Sequence, residues 1–467
     1  MYFEQFYLGC LAHASYMFAS QGEAVVVDPQ RDIEIYIEAA QKNGLTIRHI
    51  FETHLHADFV SGHTELAERT GAKIYIGAAA GARFPHVDVH DGFELQVGRI
   101  CTGVLETPGH TPESICLVLT DCERSDEPWA VFTGDTLFIG DVGRPDLSPT
   151  HTPQQLADML YDSLHHKLMT LPDTTLVYPA HGAGSLCGRN MRAERSSTIG
   201  TERLTNWALQ IKTREDFVQQ MTSNLPARPE YFAQDAAINR EGAAALTDLP
   251  SLAAISPSEL EYQLKQGVTA LDVRPVDQFA AGHVPGSINI ALSGQFASWT
   301  GAVLGLDSDP VLIADTDEQL SEARLRLARV GIEDVAGYLE GGIAAWKKAG
   351  LPLVQVPQMT VQELESKLQN NGIFVLDVRR QGEWDAGHIE GADWYALDNF
   401  KRALPEIDAS VPVAIHCAAG YRSMIACSFL QRSGNNNVIN VIGGFDAWKK
   451  AGLPVSQEKL EVAAARG

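Results

Sequence analysis

The 467 residues carry a formal net charge of -23 at pH 7, with 45% hydrophobic and 20% charged residues. That length exceeds what one core usually supports and the composition is that of packed globular protein, so two to four domains are expected and disorder is excluded. The negative charge opposes phosphate backbones and anionic lipid, no basic patch offsets it, and no apolar run could span a bilayer, so neither nucleic acid nor membrane is an expected partner. The first residues, MYFEQFYLGC, lack a basic stretch followed by an apolar one, and the seven cysteines are odd in number without framework spacing. A cytoplasmic location with free thiols is therefore expected.

In chain order, short apolar strands are expected at 24–28 (AVVVD), 73–76, 100–106, 115–119, 130–133 and 175–178, with helices near 33–43, 60–70 and 153–168. This is a layered α/β arrangement. The strand-like IRHIFET runs into THLHADFVSGH, residues 53–63. His54 and His56, two residues apart at the end of an extended segment, present both imidazoles on one side. Asp58 follows, and Phe59 occupies a position where another imidazole would be expected. Later strands end in further candidates: His110 in ETPGHTPES, Asp135 in FTGDTLF and His181 in VYPAHGAG. Loops beyond strand ends at one sheet edge can converge on an ion. Any one of these histidines alone reads as an ordinary surface or core residue, whereas the set reads as a metal site. Arg144 lies in GDVGRPDLSP, Cys187 in HGAGSLCG, and residues 201–247 read as helical to irregular.

The second half is a tandem repeat. LDVRPVDQFAAGHVPG at 271–286 returns as LDVRRQGEWDAGHIEG at 376–391, 105 positions on. GYLEGGIAAWKKAGLPL at 337–353 returns as NVIGGFDAWKKAGLPV at 440–455. With VQVPQMT at 354–360 as the joint, the expected domains are 1–248, 249–356 and 357–467. Short β-branched runs alternate with helical patterns in both repeats, the signature of parallel sheets flanked by helices. In the second, VAIHCAAGYRSMIACSFL reads as a strand ending at Cys417, a loop over Cys417–Arg422 and a helix from about Ser423. Successive backbone N–H groups of such a loop and the helix N-terminus favour a thiolate at Cys417. Ala418, Ala419, Gly420 and Tyr421 are the candidate substrate-binding rim, and Arg422 is placed to reinforce the cradle and bind a sulfur oxyanion. Asp377 and Arg379 read as braces of the fold. The first repeat has VLIADTDEQLSEARL over the same loop, with Ala314 or Asp315 in place of the cysteine, so it lacks the nucleophile.

The N-terminal pattern resembles the metallo-β-lactamase superfamily over about residues 1–245, on the motif His-x-His-x-Asp-His followed by the histidine loop, the aspartate and the last histidine. The resemblance implies an αββα sandwich. In two-metal members of that superfamily Asp58, the position of Phe59, Asp135 and His181 would hold the second ion, and Phe59 cannot coordinate. A binuclear zinc hydrolase of glyoxalase II type is thereby disfavoured and stands as the alternative. Likeness to the persulfide dioxygenase branch implies one Fe(II) per chain on His54, His110 and Asp135, with His56, Asp58 and His181 orienting ligands or facing substrate. Phe59 then removes a second metal and adds an apolar wall. His181 stays open to a structural role. Arg144, which matches that branch, either attracts an anionic substrate or holds its loop through Asp146. The branch has a tyrosine soon after the last histidine, where this chain has Cys187 close by, either a sulfur relay or a buried inert thiol.

Residues 357–456 resemble the rhodanese sulfurtransferases, with Cys417 as sulfur carrier and the first repeat as an inactive copy. The two resemblances together imply oxidation of a small-thiol persulfide by O2 to sulfite and thiol, coupled to formation or use of thiosulfate at Cys417, as in sulfide detoxification. The rivals are a zinc thioester hydrolase fused to a sulfurtransferase and a non-enzymatic sulfur-binding scaffold. A homodimer or higher homo-oligomer is the default assembly.

Overall fold

Alternation along the N-terminal strands gives both faces of each sheet something to bury. β1 (Tyr2–Leu8), β2 (His13–Ser20), β3 (Glu23–Val27), β4 (Thr46–Glu52), β5 (Lys73–Gly77) and β6 (Val87–Val89) form one six-stranded sheet in that order. β7 (Glu94–Val97), β8 (Ile100–Glu106), β9 (Ile115–Asp121), β10 (Ala130–Gly134), β11 (Leu176–Pro179) and β12 (Ser197–Thr198) form a second, ordered β12-β11-β10-β9-β8-β7. Tyr16, Phe18, Val25, Val27 and Phe51 of the first sheet pack on Val104, Leu117, Leu119 and Phe132 of the second. The intervening residues Met17, Ala24, Val26 and Ile50 face outward, against Tyr36 and Ala40 of α1 (Glu34–Lys42) and Leu66 of α2 (His63–Thr70). On the far side Cys116, Val131 and Val177 meet α3 (Pro153–Asp162), α4 (Ile199–Thr205) and α5 (Arg214–Thr222) through Ala157, Leu160, Ile199 and Phe217. The layers run helix, sheet, sheet, helix, as expected. Phe132 sits between Tyr16 and Phe18 at ring distances of 4.8 and 5.8 Å, so its truncation to Ala removes about 3–5 kcal/mol.

The computed structural model describes residues 1–223, 225, 228–370 and 372–457; positions 458–467 of the third expected domain lie outside the described residues. The described chain forms two compact units, the first spanning Met1–Pro250 with the short segment Ala328–Gly331, the second taking in both repeats. Two element readings change. The helix expected over 153–168 ends at Asp162, and Ser163–Lys167 continues as a π-helical turn. The helix expected from residue 60 starts at His63, because Ser61 N donates to the Asn239 side chain of α6 (Phe232–Glu241) and its hydroxyl to Pro29 O and Glu52. Among the described residues no helix is long and apolar enough to cross a membrane.

Both repeats build a five-stranded parallel sheet with the same strand order. The first runs Ala254–Ile255, Gly337–Leu339, Val311–Ile313, Ala270–Asp272, Ile288–Asn289, and the second Gln358–Met359, Val438–Val441, Val413–His416, Phe374–Asp377, Asp393–Trp394. The repeats meet where the helix Tyr421–Arg432 lies along Ile288–Asn289: Asn289 N donates to Ser428 Oγ at 3.1 Å and the Tyr421 hydroxyl to Ala291 O at 2.8 Å.

Candidate metal and sulfur-transfer sites

The loop after β4 is held from below by Asp28, at the end of β3, which takes an unusual left-handed φ of 50°. Its carboxylate accepts from Thr53 N at 2.7 Å and from the Thr53 hydroxyl at 2.9 Å. Since that hydroxyl proton is committed to Asp28, the Thr53 oxygen accepts from His54 Nδ1 at 3.0 Å, which leaves the lone pair of His54 on Nε2. His110 is oriented the same way: Nδ1 donates to Arg144 O at 2.9 Å. The two Nε2 atoms lie 3.8 and 3.3 Å from Asp135 Oδ2, and all three side chains are buried. Asp135 Oδ2 has no hydrogen-bond partner, while Oδ1 accepts from His181 Nδ1 at 2.8 Å. Two imidazole nitrogens and one carboxylate oxygen thus converge, each with its other polar atom occupied, and this donor set fits a divalent cation.

The charge states suit that role. Burial pushes His54 and His110 toward the neutral form that ligates metals. Burial works against ionised Asp135 too, but His181, His54 and His110 outweigh it and hold the carboxyl well below the usual range. His181 is raised despite burial, because it bridges Asp135 and Asp58, the latter at 3.0 Å.

His56, expected to orient a ligand or face substrate, packs 4.2 Å from the His54 ring and lies 3.2 Å from Asp28 and 3.7 Å from Glu52, carboxylates that raise its pKa against burial. It still belongs, with Asp58 and His181, to a second cluster close enough to share an ion. Phe59 is fully buried and packs on His56 at a ring distance of 4.5 Å. Cys187 is buried beside Asp135 and His181, and burial first, then Asp58 and Asp135, raise its thiol pKa. Of the two roles open to Arg144, the structure shows the one that holds its loop. Its guanidinium is buried and bidentate on Asp146 at 2.6 and 2.8 Å, with a third bond to Leu186 O, so it braces the loop whose carbonyl orients His110. Sequence reading missed Asn239, whose amide donates to His56 O and Phe59 O at 2.8 Å, and His13, buried among Phe59, His56 and His181. Neither lies in a motif.

In the second repeat Cys417 follows the strand Val413–His416 and is buried. Gly420 N donates to its sulfur at 3.1 Å, and Ser423 Oγ lies 3.6 Å away. Gly420 adopts φ 102°, a turn that lets the loop enter the helix and favours glycine. The repeated Gly-Gly also acquires a reason: a Cβ at Gly444 would meet Cys417 O at 2.3 Å, and only a glycine lets Phe445 N and Asp446 N cap the carbonyls of Cys417 and Ala418. Ala418 and the exposed Ala419 form the rim. Two expectations change. Arg422 lies in a bidentate pair with Glu383 at 2.6 and 2.7 Å rather than free for an oxyanion, and this pairing raises the arginine against its burial and lowers the acid. Tyr421 directs its hydroxyl to Ala291 O of the first repeat rather than to the rim, and a Cβ at Gly294 would meet its ring at 2.5 Å. In the first repeat the choice between Ala314 and Asp315 resolves: Gly342 approaches Ala314 O as Gly444 approaches Cys417 O, so Ala314 takes the nucleophile's place.

Comparison with known proteins adds a family-level result. The metallo-beta-lactamase superfamily model matches residues 8–181, and the rhodanese-like domain model matches 256–349 and again 360–451. The mitochondrial persulfide dioxygenase of Bos taurus is 35% identical over 212 residues, 44% of this chain and 73% of that protein. A hydroxyacylglutathione hydrolase of Polaromonas is 36% identical over 163 residues, 34% of this chain and 57% of that one. A solved metallo-beta-lactamase from Staphylococcus aureus is 34% identical with a TM-score of 0.66, covering 73% of this chain and 98% of its own.

Proposed function

The chain belongs to the metallo-β-lactamase superfamily, with persulfide dioxygenases among its relatives and two rhodanese-like domains behind, and on that premise we propose a bifunctional sulfur enzyme. Residues 1–248 oxidise a small-thiol persulfide with O2 and water to thiol and sulfite, using one Fe(II) held by His54, His110 and Asp135. Residues 249–356 are an inactive rhodanese-like domain, and 357–467 carry sulfur on Cys417, forming or using thiosulfate. Bound there, Fe(II) supplies the redox chemistry by which O2 oxidises sulfur.

The chain's own residues do the rest. Thr53 and the Arg144 carbonyl fix the two imidazoles, and the Asp58–His181–Asp135 series keeps a single Asp135 oxygen facing the ion. Phe59 excludes water from the side a second metal would occupy, and Cys187 remains a candidate relay for sulfur beside Asp135. What supports this reading above all is the combination of a two-histidine, one-carboxylate donor set with Phe59 at the adjoining position. The likeness to hydroxyacylglutathione hydrolases and the His56–Asp58–His181 cluster favour a second reading, a zinc thioester hydrolase.

Loading the apoprotein with Fe(II) or Zn(II) side by side separates the two. The proposal expects about one iron per chain and uptake of O2 with the persulfide of glutathione, coenzyme A or cysteine in the iron form alone. Hydrolysis of a glutathione thioester by the zinc form, with no uptake from any persulfide, would reject it.

A further inference from the structure

His13 opens β2 as a lone histidine, yet the backbone ties it to the metal pocket. Ala14 N donates to Ala180 O at 2.7 Å and Gly182 N to Ala12 O at 2.9 Å, on either side of an antiparallel bridge between His13 and His181. The side chain is fully buried, with its ring 4.2 Å from Phe59, 5.4 Å from His181 and 5.6 Å from His56, centroid to centroid. Neither ring nitrogen has a hydrogen-bond partner. Three neighbours differ in this respect: His54 bonds Thr53, His110 bonds the Arg144 carbonyl and His181 bonds Asp135. The nitrogens of His56 also lack a hydrogen bond, but the Asp28 carboxylate lies 3.2 Å from one of them, and His13 has no such carboxylate among its ring neighbours.

A buried donor without a partner destabilises a fold, whereas an apolar ring of similar shape against Phe59 would incur no such loss. Orphaned groups of this kind in a folded protein call for an explanation, and a bound ligand is one. Metal binding does not explain this one, since among the described residues His13 is absent from every group of side chains whose donor atoms are close enough to share an ion. It packs against Phe59, His56 and His181 rather than within the His54–His110–Asp135 triad. The surroundings there suit a sulfur chain: an aromatic face for the polarisable sulfur atoms and one N–H for their anionic end.

We propose, building on the persulfide reading above, that His13 is a substrate-positioning residue whose ring N–H donates a hydrogen bond to the persulfide sulfurs lying against Phe59. It transfers no proton and holds no metal; it selects the orientation in which the outer sulfur faces His54, His110 and Asp135.

The test uses the full-length, Fe(II)-loaded chain and its His13→Phe and His13→Gln variants, with iron content, melting temperature and the steady-state constants of persulfide-dependent O2 uptake measured together. The expected result is unchanged iron content, a melting temperature equal or higher in His13→Phe, and a KM for persulfide raised about tenfold with kcat altered far less, as the loss of one such bond implies. His13→Gln, which keeps an N–H within reach, recovers most of that difference. If His13→Phe does not fold, His13→Ala is judged by the same KM. A normal KM in an iron-replete His13→Phe or His13→Ala overturns the inference, as does loss of iron from the variants, which would make His13 part of the metal site. Absence of uptake by the unmodified protein with every persulfide would instead defeat the persulfide reading itself, and this inference with it.

Discussion

The two repeats share a frame and differ in the loop the frame supports. Arg274 clasps Asp272 and Arg379 clasps Asp377, each pair closing at 2.6 Å, and each arginine reaches on to the carbonyl of Gly282 or Gly387. His283 stacks on Phe279 and His388 on Trp384, both at 3.7 Å. Trp346 and Trp448 each donate to the carbonyl of a proline six residues on. Against this constancy, Ala314 stands where Cys417 stands and Asp317 where Gly420 donates its N–H to the sulfur. The recurring LDVR, GH, GG and AW elements therefore record how the fold is braced, while the proposed transfer chemistry rests on residues the frame leaves unspecified. The dependence also runs the other way, since the Cys417 loop leans on the first repeat through Tyr421 and Gly294.

The largest break in this comparison comes from the loops. Cys417→Ser is expected to lower thiocyanate formation from thiosulfate and cyanide by about a thousandfold or more, as loss of a covalent nucleophile does, with O2 uptake untouched. Ala314→Cys should create no activity, because Asp317 and Gln319 stand where Gly420 and Arg422 stand. Next come the braces. Asp272→Asn and Asp377→Asn each leave a buried arginine without its charge partner and should destabilise their own repeat by a similar amount, about 3–5 kcal/mol, read from urea unfolding by tryptophan fluorescence. Unequal losses would show that the frames are not equivalent.

Acidification should act on the first repeat through His283, whose pKa burial lowers from 6.5 to about 4. The neutral form is favoured by the fold, so its contribution is complete above the unfolded value of 6.5 and is lost as pH falls toward 4. At about pH 5.5 the loss is ~1.4 kcal/mol by linkage, and His283→Phe should be spared it in parallel unfolding curves. The smallest effect is expected from Tyr421→Phe, which removes one bond between the repeats: about 1 kcal/mol of stability and about a fivefold drop in transfer rate.

What was legible in the sequence was what lies on one local segment or recurs. His54, His56 and Asp58 share one loop, and His110, Asp135 and His181 each close a strand of the same layered pattern, so spacing alone gathers them. The repeat announced both parallel sheets and the absent nucleophile. Partner choice was not legible, because it is made across long separations. Glu383 lies 39 positions before Arg422, Ala291 lies 130 before Tyr421, and Asn239 lies 180 after Phe59. His13 had no local signal at all, its place being set by a bridge to a loop at the far end of the domain. For Arg144 the nearby Asp146 was visible, yet only the folded loop shows the guanidinium buried and bidentate on that carboxylate.

The central claim is a division of labour, with oxidation at the His54–His110–Asp135 site and sulfur transfer at Cys417. The most direct test is O2 uptake by Fe(II)-loaded protein given glutathione persulfide, measured for the unmodified chain, His110→Ala and Cys417→Ser, with sulfite and thiosulfate assayed alongside. The account predicts uptake that vanishes in His110→Ala and persists in Cys417→Ser. Uptake that survives in His110→Ala, or that disappears in Cys417→Ser, would contradict it.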